Sequence, residues 1–420
     1  MLKERDIEIL RTLARKYAEY ASLPIQKEKK RMWIALNSGR MERPMVLVDQ
    51  LPWVELDTDG SMRCQIEDPY WREVEDRLRK EIYKWEHCPA DMVLDPYIAL
   101  YIPTITTGWG VEIQDDQIEY EAGNDIVSHR YHNQFETFDD VQKIQMPTVK
   151  RDYEAEKLVR QHADRIFEGI IPYRMSGAMG EGYPYGFRGG HWDFITMWMG
   201  VTDLYYDFIE EPDLVHAIMG RVTDGVVGLI DQYNAQGLFD VETNYIHCSQ
   251  TYCSEVPREG CDHEHAQSQD AWAFGMAQLM TSVSPSITDE FEVAYMQKTF
   301  SKMGAVYYGC CERLDDRLDI VAKMPNIRKV SCSPWSNREH FAEVLPDAYV
   351  MSNKPTPALL AETTFSLDKA RADIRRTIAA AKRYDRRLEM ILKDVSTLRH
   401  DPRRLWDWAK MAVEEAERSV

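Results

Sequence analysis

Residues 304–335 read GAVYYGCCERLDDRLDIVAKMPNIRKVSCSPW. Two short apolar runs, Ala305–Cys311 and Arg328–Cys332, each end in a polar or proline-bearing loop, as buried strands do. The same beat of apolar run, loop and helical segment continues on both sides from about residue 170 onward. It predicts βα units around a parallel sheet. Working outward, further strands are expected at Pro44–Asp49, Tyr97–Pro103, Ile171–Ser176, Leu279–Ser284, Tyr349–Ser352 and Glu389–Lys393. With the first two they make eight, the number that closes a barrel. The predicted fold class is therefore α/β, a (β/α)8 TIM barrel with an N-terminal helical extension and long rim insertions, forming one domain over 1–420.

Helix starts support this phasing. Ser284-Pro285, Thr356-Pro357, Asp401-Pro402 and Glu211-Pro212 each set a capping or acidic residue before a proline suited to the first helical turn. Ser336 to Glu339 fits a capping box, and the helix begun at Pro212 should stop at Gly237. The N-terminus carries Ile7, Leu10, Leu13 and Tyr17 at helical spacing in a densely charged stretch. This predicts a surface helix within an extension over 1–43, and not a signal peptide. The acidic, aromatic-rich stretch Asp115–Asn124 reads as an excursion over the barrel top. A second insertion, 239–269, holds three cysteines and three histidines and reads as functional or lid-like. No internal repeat, low-complexity tract or Gly/Ser linker divides the chain.

Composition narrows the class. The net charge of -19 repels phosphate backbones and anionic lipid, so neither nucleic acid nor membrane is an expected partner. No apolar run reaches the roughly 20 residues of a membrane span. Eight cysteines in a chain with no export signal read as reduced thiols in a cytoplasmic protein, some of them candidate metal ligands.

Several segments together resemble the uroporphyrinogen decarboxylase superfamily. They are GGHWDFITMWMGVTDLYYDFIEEPDLV (189–215), SVSPSITDEF (282–291), the opening stretch 304–335 and VMSNKPTPALLA (350–361). The resemblance covers roughly residues 170–410 and is specific for the fold through the order of its four motifs. That superfamily includes decarboxylases and zinc-dependent methyltransferases that serve corrinoid proteins. The decarboxylase's Arg-rich segment aligns with 36–53, where Arg40 and Arg43 precede the strand and Asp49, Gln50 and Trp53 follow it. A polycarboxylate substrate needs several arginines after that strand, so the resemblance points to the methyltransferase branch. In that branch a His-x-Cys pair at the end of strand five helps bind zinc. Here the pair falls on Gly309 and Cys311.

Candidate metal ligands are Cys311, Glu312, Cys310 and His247, since zinc takes thiolate, carboxylate and imidazole. Alternation lets one cysteine of the pair face the barrel axis, and alignment favours Cys311. The other reading of Cys310 and Cys311 is a pair of small buried residues. His191 and Asp193 follow the glycines of GGHWDF, Lys354 follows strand seven and Asp394 follows strand eight. These four are the candidate catalytic residues, because barrel chemistry sits at the C-terminal rim. Structural hydrogen bonds or ion pairs are the alternative for each. Asp49, Trp53 and Trp272 are candidate substrate contacts, although Trp272, Phe274 and Met276 at period two also fit a strand core.

The resemblance implies a methyltransferase moving a methyl group between a small O- or N-methylated compound and the cobalt of a corrinoid (cobalamin), with zinc as Lewis acid. The motif Asp-x-His-x-x-Gly is absent, so the corrinoid is expected on a separate partner protein. A homodimer is a further expectation from the resemblance. Two rivals stay open: a metal-free decarboxylase or lyase acting on a carboxylated substrate, and a non-catalytic binding protein.

Overall fold

The computed structural model describes residues 2–119, 127–178, 187–188 and 190–420, and gives backbone alone for 118, 119, 127, 187, 188, 193 and 194. The excursion Asp115–Asn124 therefore lies partly outside the described residues. The strands of the βα units are β1 Met45–Val48, β2 Ile98–Ile102, β3 Tyr173–Ala178, β4 Trp272–Gly275, β5 Ala305–Tyr308, β6 Ile327–Cys332, β7 Val350–Asn353 and β8 Arg387–Leu392. Six of them pair in parallel in the order β1-β8-β7-β6-β5-β4, and the two-residue strand Phe187–Arg188 extends the β4 edge. Strands β2 and β3 form their own parallel pair. The architecture is a mixed α/β fold around a central parallel sheet. Its strand order is barrel-like, and no backbone ladder joins β1 to β2 among the described residues.

Seven expected strands fall on observed ones, and the fourth is displaced. Leu279–Ser284 is a tight 3-10 turn at Gln278–Ser282, and the strand is Trp272–Gly275. Leu279 and Met280 are apolar because that turn packs into the outer core, not because it is extended. At Ser336–Glu339 the cap is Asn337, whose side chain accepts from the His340 amide. Ser284 caps as expected, and Gly237 ends the long helix Pro212–Gln236 in the left-handed region at φ 65°.

Period-two alternation sorts the strand residues into two cores. Val46, Ala273, Val306, Tyr308, Val330, Met351 and Leu392 pack outward against the surrounding helices. Leu47, Phe274, Tyr307, Val350 and Ile391 face inward. The N-terminal extension joins this inner core. Helices α1 Glu4–Ala21 and α2 Pro24–Asn37 contribute Leu10, Ala14, Trp33 and Leu36 to it. Trp33 is fully buried and donates from Nε1 to the Asp91 carbonyl at 2.8 Å.

The Cys/His-rich insertion is in part threaded through the interior. Its residues 247–252 run down the inner face, and successive side chains and carbonyls meet successive layers. His247 Nε2 is 3.0 Å from Lys393 Nζ, beyond β8. Cys248 Sγ is 3.5 Å from the Tyr307 hydroxyl. Ser249 Oγ donates to Glu389 at 2.8 Å and accepts from Lys329 at 2.7 Å. The Tyr252 carbonyl accepts from Asn37 of α2 at 2.7 Å. Short strands Tyr245–Ile246 and Ser249–Gln250, with positive φ at Asn244 and His247, make the bend that starts this descent. Polar backbone threaded through an apolar interior must find partners, and here inward-facing Lys329 supplies one to the Gln250 carbonyl at 3.0 Å.

On the outside, Glu415 of the C-terminal helix Arg403–Glu417 clamps Arg371 and Arg375 of the helix Leu367–Arg383. The Arg375 and Arg371 guanidiniums hold its carboxyl at about 2, below the ordinary 4.5, against the opposing effect of burial. A depressed carboxylate stabilises the fold above its unfolded pKa and loses that contribution as pH falls through the folded value. The stability gap between wild type and Glu415→Gln in urea unfolding is therefore expected to be full above about pH 5. It should close between about pH 4.5 and 2.

No helix among the described residues is long and apolar enough to cross a membrane.

Candidate active site at the C-terminal ends of strands five and eight

Strand β5 ends at Tyr308, and Gly309 then takes φ 91°, a conformation that strains any residue with a Cβ. An added Cβ there would lie 2.7 Å from Leu314 Cδ1. This turn takes Cys310 and Cys311 out of strand alternation, so both thiols point to one place. Their sulfurs are 3.5 Å apart. Cys310 is buried and Cys311 half-buried.

Lys393 is the hub of the group. Glu389, Ile391 and Lys393 share the inward face at the end of β8, which buries the lysine. Its Nζ lies 3.0 Å from His247 Nε2, 3.1 Å from Cys310 Sγ and 3.4 Å from Asp394 Oδ2. Asp394 has φ 56°, which turns it back so that Oδ2 accepts from Cys311 Sγ at 3.2 Å. Burial disfavours the ammonium, but the sulfurs of Cys248 and Cys310 and the Asp394 carboxylate outweigh it, and the Lys393 pKa stands above its ordinary value. Burial lowers His247, which stays neutral at pH 7. An ammonium only donates, so Nε2 accepts and the ring proton sits on Nδ1. The His247 ring stacks on Phe274 at 4.0 Å between centroids, which fixes its plane.

The thiol pair shares its protons unequally. The Cys310 thiol donates to Cys311 and, with the Lys393 ammonium, lowers the Cys311 pKa against burial. The same bond and burial raise Cys310. Cys311 is therefore expected to alkylate with iodoacetamide at neutral pH faster than the other cysteines, as mass spectrometry would show. In Cys310→Ala the midpoint of its rate against pH should move up, because the donor is gone.

Two deeper lysines continue the inward column. Lys354 Nζ donates to Ser352 Oγ at 2.6 Å and to the Tyr307 hydroxyl. Lys329 Nζ is 2.6 Å from Glu389 Oε2, with both side chains fully buried.

A cavity of about 530 Å3 opens beside the cluster, in the seam where β1 and β2 do not pair. Leu47 and Val48 line one side, Ile98 and Ala99 the other, the helix Pro69–His87 the outside, and His247 and Phe274 the inner wall. His247 belongs to both cavity and cluster. Six acidic side chains (Asp49, Glu73, Asp76, Glu81, Asp95, Glu242) and three basic ones (Arg77, Lys80, Lys84) line it.

Of the sequence candidates, the structure brings Cys310, Cys311, His247 and Asp394 together. Lys354 lies one layer below, joined through Tyr307 and Cys248. Asp49 and Trp53 line the cavity, Asp49 3.9 Å from Lys84 and Trp53 edge-on to Tyr83. Trp272 is buried in the inner core, away from this cavity. Glu312 turns away from the sulfurs: its carboxylate accepts from the Cys310 amide at 2.7 Å and the Ala277 amide at 3.3 Å, pinning the loop. His191 lies in the helix His191–Met199, with Nε2 3.3 Å from Thr299 Oγ1 on an outer helix. Burial pushes its pKa down to about 3, so it is a core imidazole and not a rim acid. The side chain of Asp193 lies outside the described residues. Lys393, Tyr307, Lys329 and Glu389 were not among the sequence candidates. Their signal is a charged or hydroxyl-bearing residue at an inward position of a central strand, where burial demands a partner.

Zinc does not fit the cluster as arranged. Cys310, Cys311 and His247 are donors that zinc accepts, but the Lys393 ammonium stands within 3.1 Å of both Cys310 Sγ and His247 Nε2. Two cations cannot share that point. Among the described residues no three His, Cys, Asp or Glu side chains converge as a metal-holding group.

The central parallel sheet, with its inward polar column and the cavity beside it, is an α/β fold shared with a solved structure. The chain is similar to the solved structure of a methyltransferase from Methanosarcina mazei, with a TM-score of 0.50 at 14% identity, over 93% of this chain and 98% of that one. No family model matches the sequence, and no curated protein matches it.

Proposed function

We propose that the chain is a methyltransferase on a uroporphyrinogen-decarboxylase-type (β/α)8 barrel. It takes a methyl group from a small O- or N-methylated compound and passes it to the cobalt of a separate corrinoid protein docked over the strand ends. The observation that carries this reading is the buried Lys393 ammonium, hydrogen-bonded to a neutral histidine that walls a 530 Å3 cavity. The structural neighbour from Methanosarcina mazei is a methyltransferase, which agrees with it.

The difficulty of the reaction lies in the leaving group. An ether oxygen or a neutral amine nitrogen departs with the electron pair of its bond to carbon, and needs a proton or a Lewis acid as that bond breaks. Cobalt(I) supplies the nucleophile that accepts the methyl carbon. The chain's own part is the proton. His247 gives its Nδ1 proton to the departing heteroatom while Nε2 takes one from Lys393. Lys393 thus fills the role the resemblance assigns to zinc. The Asp394 carboxylate keeps Lys393 protonated before the step.

The excess of acidic side chains in the cavity weighs against the carboxylated substrate of the lyase alternative. The test is methyl transfer from a panel of methyl ethers and methylamines to cobalamin(I), followed by absorbance, with wild type and Lys393→Met.

A further inference from the structure

Consecutive cysteines in a strand point to opposite faces. Cys310 and Cys311 do not, because Gly309 at φ 91° ends the strand ahead of them and the Glu312 carboxylate holds the Cys310 amide at 2.7 Å. The outcome is two free thiols 3.5 Å apart, one buried and one half-buried, at the rim of the fold. The pair is fixed on both sides: Cys310 Sγ meets Lys393 at 3.1 Å and Cys311 Sγ meets Asp394 at 3.2 Å. Methyl transfer as proposed above forms no bond to either sulfur.

We infer that Cys310 and Cys311 form a dithiol site that captures a trivalent arsenical through both sulfurs. The chemistry balances without an oxidant. An arsenic(III) centre bearing two hydroxyls forms two As–S bonds and releases two waters, and arsenic stays trivalent. Each thiol proton leaves with a departing hydroxyl. Asp394, which already accepts from Cys311, carries one of them. Lys393 steadies the second sulfur as it loses its proton. Cys311, the more accessible sulfur, attacks first. The second bond then closes within the protein, where the preset separation replaces a collision by a local step. Such closure strengthens binding by about 10²- to 10⁴-fold over one thiol alone. The inference stands on the thiol geometry and does not depend on the methyl-transfer reading.

Phenylarsine oxide with the intact, reduced protein tests it. Mass spectrometry should show one phenylarsenic per chain, retained against excess monothiol and removed by 2,3-dimercaptopropanol. Cys311→Ser and Cys310→Ser should each weaken capture at least about 100-fold. Cys332→Ser, which alters a buried thiol outside the cluster, should leave it unchanged. Circular dichroism of each variant separates loss of the site from loss of the fold. Should a Cys310 variant not fold, Cys311→Ser alone decides. No adduct on wild type, an adduct that survives in folded Cys311→Ser, or one released by monothiol as readily as by dithiol would overturn the inference.

Discussion

Lys393→Met is expected to lower the turnover of methyl transfer by about 10²- to 10⁴-fold, the range a positioned proton donor contributes. Methionine keeps the length and apolar stem of lysine but carries no proton. His247 would lose the donor at its Nε2, and a neutral imidazole with no source behind it gives up its Nδ1 proton at a higher cost. The loss should fall on kcat. The Michaelis constant should change little, because Lys393 does not line the cavity and His247, Phe274, Leu47 and Val48 remain in place. Nor should the fold fail. The carboxylate left behind is Asp394, whose side chain is 46% exposed, so no buried charge is stranded. Thermal unfolding within a few degrees of wild type, beside a collapse of kcat in steady-state kinetics, is the expected pair of results.

The second large effect is on stability. Lys329→Met should cost about 3–5 kcal/mol, because it strands the fully buried Glu389 carboxylate. The ammonium also sits 5.1 Å from the Trp33 ring and holds Ser249 Oγ and the Gln250 carbonyl. Its removal therefore loosens the strap 247–252 from the inner face. Glu389→Leu added to Lys329→Met should recover most of the loss, since apolar replacement of a whole buried pair is often neutral. Urea unfolding of the two single variants and the double variant measures this. A single-variant cost under about 1 kcal/mol would mean that the pair is hydrated and the strap is not packed as described.

These two lysines mark where the sequence could and could not be read. The βα rhythm was legible because each strand is a short buried run between turn signals, and seven of eight runs fell where the pattern put them. The fourth misled because Leu279 and Met280 are as apolar as a strand and only their backbone differs. Cys311 and Asp394 were legible as rim residues from their place after β5 and β8. Glu312 and His191 have ligand chemistry, but one is used up on backbone amides and the other on Thr299, and such pairings leave no local signature. Lys393 was within reach, since Glu389, Ile391 and Lys393 share a face in RLEMILK and a buried lysine needs partners. The partners lay beyond reach, because His247 arrives from an insertion more than a hundred residues away that a lid would equally have explained. The threading of 247–252 along the inner face depends on long-range pairs such as Ser249 with Glu389 and Asn37 with Tyr252, which no periodicity encodes.

The most direct measurement is single-turnover methyl transfer to cobalamin(I), read by the absorbance change as the methyl–cobalt bond forms. The protein is first dialysed against a strong chelator, and its metal content is confirmed by elemental analysis. The expected result is methylation of cobalt by the metal-depleted wild type from at least one O- or N-methylated donor, and its loss in Lys393→Met. Activity that returns only when zinc is added back, or transfer unaffected by Lys393→Met, would contradict a Lys393-driven proton donor. No transfer from any donor would contradict the methyltransferase assignment itself.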